Sequence, residues 1–256
     1  MIPEIEFKEN ARFYNVPVST IERDYAQNWL LVHLPEMAFK GGTGIRKAYI
    51  ENYRFSDDLD FTLIKKSNIK DLEGEIKKAI QDAKNVSGIS FLDDIKSEEV
   101  KNGYVINIHF RILRSTGDPL KIKMDITKKE NEIIINPIQK KNIIHVYSDK
   151  INEKINVYTL EEMFAEKVRS LFERTRPRDL YDVWHLNKKI TFDKTLFQKK
   201  CKHKNVESNI DELVTRKINY EKTWKGSLQH QLPELPSAID VFEEVIEFLK
   251  KVLQYR

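Results

Sequence analysis

Apolar residues recur at helical spacing across residues 19–34, where Ile21, Tyr25, Trp29 and Val32 share a face and Ser19 or Thr20 stands at the capping position. A short strand over 37–40, a short helix over 43–49 and a strand over 59–64 are predicted next. An amphipathic helix follows over 70–84, with Leu72, Ile76 and Ile80 turned inward. Strands are predicted over 89–91, 104–113 and 120–127, the last two joined by the turn Ser115-Thr-Gly-Asp-Pro119. Residues 133–137 and 143–147 read as edge strands. The pattern to about residue 156 is mixed, with antiparallel pairing rather than regular βαβ alternation.

Beyond that point strand signals stop. Thr159-Leu-Glu-Glu162 has capping-box spacing and opens a helix to about residue 172. Pro177 suits the first turn of a helix to about 186. Helices are also expected over 192–202, 209–219 and 237–253, the last with Ile239, Phe242, Ile246, Leu249 and Leu253 on one stripe. The expected fold is α+β: a first domain, 1–156, with a mixed sheet flanked by helices, and a second, 157–256, that is a helical bundle. The change of pattern itself falls at 155–159.

Composition narrows the function. With 256 residues and 40% hydrophobic content, the chain supplies a proper core. Its 44 Lys+Arg against 40 Asp+Glu leave a net charge of +4, so any nucleic-acid contact must be local. Candidate patches are Lys121, Lys123, Lys128 and Lys129, and Lys199, Lys200, Lys202 and Lys204. A single cysteine, Cys201, excludes an internal disulfide and a cysteine zinc cluster, and suits a reducing compartment. The first residues lack the features of an export signal, and no apolar run nears the roughly 20 residues that cross a bilayer. A cytoplasmic protein without membrane contact is expected.

Candidate chemistry centres on residues 39–61. Strand alternation puts Asp58 and Asp60 on one face, about 6.6 Å apart along the strand, with Leu59, Phe61 and Leu63 facing a core. Two such carboxylates repel unless a hard cation sits between them. The same alternation gives Lys121, Lys123 and Asp125 one face, and Leu120, Ile122, Met124 and Ile126 the other. Asp125 joins the first pair if its strand neighbours theirs, an arrangement suited to phosphoryl or nucleotidyl transfer. Gly41 and Gly42 allow a tight turn with backbone amides exposed, and Thr43 starts a helix, where anions are favoured. Neither P-loop nor dinucleotide spacing is present. Lys167 falls near the centre of the apolar stripe Leu160, Met163, Phe164, Val168 and Leu171; it either snorkels past the core edge or meets an anion. Asp179 and Asp182 share a helix face, Asp179 being expected in a first turn on dipole grounds alone. The six histidines show no metal-ligand spacing.

Taken in order, Gly42-Thr43, Arg54-x-Ser56-x-Asp58-x-Asp60, Lys123-x-Asp125, Glu166-Lys167 and Arg178-Asp179-x-x-Asp182 resemble the AbiEii-type nucleotidyltransferases. These are toxins of bacterial abortive-infection and toxin–antitoxin systems within the polymerase-beta-like superfamily. The resemblance covers about residues 19–187, with a looser match through Trp224 to the end, and departs from the family in Gly44 in place of the usual alanine and a somewhat long spacer to Asp58. It implies a nucleotidyltransferase domain, a helical bundle and an active site between them. It further implies metal held by Asp58, Asp60 and Asp125, nucleotide contacts from Gly41, Gly42, Thr43, Arg54, Ser56 and Lys167, and catalytic roles for Asp58, Asp60, Asp125, Lys167 and Asp182. Mg²⁺ or Mn²⁺, a nucleoside triphosphate, an RNA acceptor such as the tRNA 3′ end, and a cognate antitoxin come with it. Transfer to a protein or small molecule, and a silent binding module, are the alternatives.

Overall fold

Alternation along two strands organises the first part of the chain. In β2 (Asp58–Leu63) and β6 (Leu120–Thr127) every second residue is buried: Leu59, Phe61 and Leu63 in one, Ile122, Met124 and Ile126 in the other. One sheet face therefore belongs to a core and the other carries polar groups. The computed structural model describes residues 1–253, which divide into two compact units, the first Met1–Tyr158 and the second beginning at Thr159.

The first unit holds an eight-stranded mixed sheet, to which β1 (Met37–Lys40), β3 (Ser90–Phe91), β4 (Lys96–Val100), β5 (Gly103–Arg111), β7 (Gln139–Asn142) and β8 (Lys154–Val157) also belong. The order is β3-β5-β6-β2-β1-β8-β7, with β4 paired to β5. The pairs β2–β6 and β1–β8 are parallel and the others antiparallel. Phe39 and Phe61 stack across β1 and β2 with ring centroids 4.9 Å apart. Helices α2 (Val18–His33) and α4 (Ile69–Ser87) pack against each other and the sheet, and α1 (Glu4–Phe13) packs on α2 through an edge-on Phe7–Tyr25 contact at 5.2 Å. Helix α3 (Gly41–Ala48) follows β1 directly.

The second unit is helical. It comprises α5 (Leu160–Glu173), α6 (Pro177–Asn187), α7 (Lys194–Lys204), α8 (Ile210–Thr215), α9 (Lys217–Leu228) and α10 (Ala238–Leu253). The Thr159 side chain accepts the Glu162 amide at 3.2 Å, which caps α5. Phe164, Phe192 and Phe248 pack ring against ring.

Several expectations are corrected. The predicted edge strands over 133–137 and 143–147 are not strands; the sheet edge is β7 paired with β8, each only four residues long and β7 without an apolar residue. Ile143 and Ile144 instead tie to the carbonyls of Glu153 and Lys47. Helix α2 begins after Pro17 without a side-chain cap, so neither Ser19 nor Thr20 is its cap. The single helix expected over 209–219 breaks at Arg216, whose guanidinium donates to the Leu171 and Phe172 carbonyls at the end of α5. Ile239, expected on the buried stripe of α10, is 46% exposed.

Candidate active site

The polar face of the sheet carries three acids, two of them side by side. The parallel register of β2 and β6 sets Asp60 opposite Asp125 and Asp58 opposite Lys123. Asp125 does not stand alone, because the Lys123 ammonium lies 2.6 Å from its carboxylate. Lys40, the register partner of Asp60 on β1, turns to Glu132 at 3.3 Å. Among the described residues no group of three or more His, Cys, Asp or Glu side chains is drawn together closely enough to hold a metal ion.

The glycine turn is shaped around this face. Gly41 has φ +72°, a conformation that favours glycine, and a Cβ built there would lie 2.2 Å from Asp60 Oδ2. Its missing side chain is the space that the Asp60 carboxylate fills. A Cβ on Gly42 would lie 2.3 Å from the Arg54 guanidinium. Gly41 is thus demanded by both the turn and its neighbour, whereas at Gly42 only the Arg54 guanidinium crowds the position. Thr43 is fully buried and its hydroxyl donates to the Asp58 carbonyl, which ties the turn to the acid strand. Two carboxylates beside such a turn suit a hard divalent cation, which commonly binds through one or two carboxylates and completes its shell with phosphate oxygens and water.

The loop leading into β2 is held carbonyl by carbonyl. Arg46 donates to the Tyr53 carbonyl, Arg54 to that of Phe55 at 3.1 Å, and Gln27 to those of Ser56 and Asp57, both at 3.0 Å. Arg23 pairs with the Asp57 carboxylate at 2.6 Å. Arg54 and Ser56, expected to contact nucleotide, are both buried, Arg54 within this brace. Beneath it lies a cluster that sequence reasoning missed: Asp24 on α2 receives Arg46 and Lys47 from α3, each at 2.7 Å, and the Tyr147 hydroxyl at 2.9 Å. Burial works against the Asp24 charge, but its two cationic partners hold the carboxyl well below the usual range. Burial pushes Lys47 down to about 8, with Asp24 opposing. An acid inside the buried stripe of α2 was the available signal, since such a group requires a partner.

Within the second unit, Lys167 lies 2.7 Å from both Asp179 and Asp182, and Arg174 lies 2.8 Å from Asp179. Both carboxylates are buried. Burial alone would raise the Asp179 pKa, yet Lys167 and Arg174 bring it below its ordinary value. The lysine in the apolar stripe therefore meets anions of its own unit. Lys200, expected on a surface patch, is fully buried between Glu162 and Glu166 at 2.8 and 2.9 Å. Lys128 is engaged by Glu99. His145 pairs with Asp149 at 2.7 Å, a structural role.

A profile described as "Nucleotidyl transferase AbiEii toxin, Type IV TA system" matches residues 25–248. The chain belongs to the AbiEii nucleotidyltransferase toxin family. Membership makes it a nucleotidyltransferase toxin of a type IV toxin–antitoxin system, with a nucleoside triphosphate as substrate and an antitoxin as counterpart. Two solved structures resemble it along nearly their whole length. MenT4, a nucleotidyltransferase toxin of Mycobacterium tuberculosis H37Rv, is 18% identical with a TM-score of 0.67, covering 100% of this chain and 91% of its own. JHP933 of Helicobacter pylori is 20% identical with a TM-score of 0.54, covering 93% and 95%. At that identity the two likenesses speak for the fold. No curated protein sequence is significantly similar to the chain. No described helix is long and apolar enough to cross a membrane.

Proposed function

We propose that this AbiEii protein transfers a nucleoside monophosphate from a triphosphate to the 3′ end of an RNA, with tRNA as the acceptor, and that Asp58 and Asp60 hold a divalent cation, Mg²⁺ or Mn²⁺, for the reaction. The reading rests chiefly on one observation: the parallel register that sets Asp60 beside Asp125, with Asp58 on the same face and the Asp60 carboxylate seated on Gly41. A cation held by Asp58 and Asp60 would supply neutralisation of the phosphate charge. The amides of the Gly41–Gly42 turn bind the triphosphate at the start of α3. Thr43 acts on the backbone, keeping that turn in step with Asp58, and Arg54 and Ser56 keep the loop shaped.

Asp125 accepts the proton of the attacking hydroxyl, and Lys123 keeps its carboxylate oriented. Lys167 and Asp182 join the machinery as the family resemblance has it, Lys167 contacting phosphate and Asp182 holding the lysine in place. Domains of 1–156 and 157–256 carry these two sets of residues, and the protein works in the cytoplasm.

Incubation with labelled nucleoside triphosphates, Mg²⁺ and total bacterial RNA tests the proposal. Labelled RNA is expected from the wild type, with Asp58→Ala at least a hundredfold slower. Equal labelling by Asp58→Ala would remove the metal assignment, and label that survives RNase treatment would move the acceptor to a protein or small molecule. Sequencing the RNA ends names acceptor and base together.

A further inference from the structure

At the end of β5 and β6 remote from the acids, a cleft of about 620 Å³ opens between the β5–β6 connection and the first turn of α2, with Pro17, Val18, Ser19, Arg111 and Arg114 in its wall. Lys8 in the wall is taken up by Glu4, whereas Arg111 and Arg114 form no ion pair among the described residues. Arg111 Nη1 is buried and has no hydrogen-bond partner. A buried guanidinium nitrogen without an acceptor is costly and calls for one. The acids in the wall are already engaged or turned to solvent: Glu4 pairs with Lys8 at 2.6 Å, Glu22 accepts the Leu113 amide at 3.0 Å, and Asp118 is exposed at the turn. The first turn of α2, sixteen residues long, carries no side-chain cap, so its amides add to the field of the two arginines.

The register connects this cleft to the acids. On β5, Val105 lies opposite Asp125, Asn107 opposite Lys123, and His109 opposite Lys121. Arg111 is two residues further along the same face, six residues from Val105 or on the order of 20 Å. Lys121, His109 and Arg111, with Lys123 paired to Asp125, thus form a row along one strand face from Asp125 to the strand end at which the cleft opens. Its spacing suits a phosphodiester strand rather than a compact anion. The volume exceeds what one phosphate needs and accommodates a nucleotide.

We infer that the cleft at Arg111 and Arg114 is a second, phosphate-binding site that grips the acceptor strand a few nucleotides back from the reacting end. The inference rests on the RNA-acceptor reading above. Bound there, a backbone phosphate gives Arg111 its missing acceptor and sets how far the 3′ end reaches along the row. Arg111 and Arg114 are positioning residues, remote from the chemistry.

The test is direct binding by the full chain of a fluorescently labelled single-stranded RNA and, separately, of a labelled nucleoside triphosphate, across a salt series. Arg111→Ala with Arg114→Ala is expected to weaken RNA binding about tenfold. The salt slope should become shallower by about 1.4, the value for two phosphates on a single strand. Triphosphate affinity should not move. Arg114→Glu, at an exposed position, guards against a folding artefact and should weaken RNA binding in the same direction. Unchanged RNA affinity and slope in both variants would overturn the inference. Weakened triphosphate binding with RNA affinity intact would also overturn it, by assigning the cleft to free nucleotide. Because binding is read without turnover, RNA that binds through these arginines but never accepts label would defeat the RNA-acceptor reading and leave the cleft standing.

Discussion

At Gly41 two demands coincide: a positive φ, and a Cα surface occupied by the Asp60 carboxylate. A methyl group there strains the turn and displaces the acid, so Gly41→Ala is expected to lower transfer at least a hundredfold. The measurement that checks this is single-turnover labelling alongside a thermal melt. An active variant with an unshifted melt would mean that Asp60 does not need the turn. Asp58 and Asp60 were legible because side chains alternate in a strand. The engagement of Asp125 by Lys123 was not, because nothing in the spacing says which way a flexible lysine turns. Thr43 shows the same limit. A hydroxyl at a helix start suggests phosphate, yet its fully buried position gives it to the Asp58 carbonyl.

Among the elements, α2 governs the site's frame. Nearly every residue from Thr20 to Leu31 is buried, and the polar ones among them hold other segments: Gln27 the loop before β2, Asp24 the last turn of α3, Asn28 the His145 ring at 2.9 Å. Asp24→Asn leaves Arg46 and Lys47 uncompensated and is expected to cost roughly 3–5 kcal/mol in chemical denaturation. The pH dependence follows in sign. Asp24 has a folded pKa below its unfolded one, so its contribution is present above about pH 4 and is lost as the pH falls through the folded value. Asp179 adds a loss of the same sign. The wild type should therefore lose stability steeply on acidification below pH 4, and Asp24→Asn should flatten that slope. An identical acid profile in the variant would show that the cluster does not control it. The apolar pattern of α2 predicted the helix. Its role as a scaffold buried on all sides depends on elements up to 124 residues away in sequence, such as Asp149, which the Tyr25 hydroxyl reaches at 2.6 Å.

For the molecule as a whole, each unit buries apolar residues of its own: Leu59, Phe61, Ile108 and Met124 in the first, Leu171, Leu180, Leu213 and Leu249 in the second. A fragment of residues 159–256 is accordingly expected to be helical and to melt cooperatively by circular dichroism. A melt without a cooperative transition would mean that its core depends on the first unit. The sequence by itself determined the mixed sheet, the helices on either side of Arg174, the capped start of α5, and the acids on a common strand face. It could do so because these follow from local periodicity and from groups a few residues apart. Only the tertiary structure decided that β6 lies parallel beside β2 with Asp125 at Asp60. The same holds for Asp24, Arg46 and Lys47 closing under the glycine turn, for the edge passing to β7 and β8, and for Arg111 being left without an acceptor. Those outcomes turn on pairings between distant segments, where burial makes an unpartnered charge costly and so selects which side chains must meet.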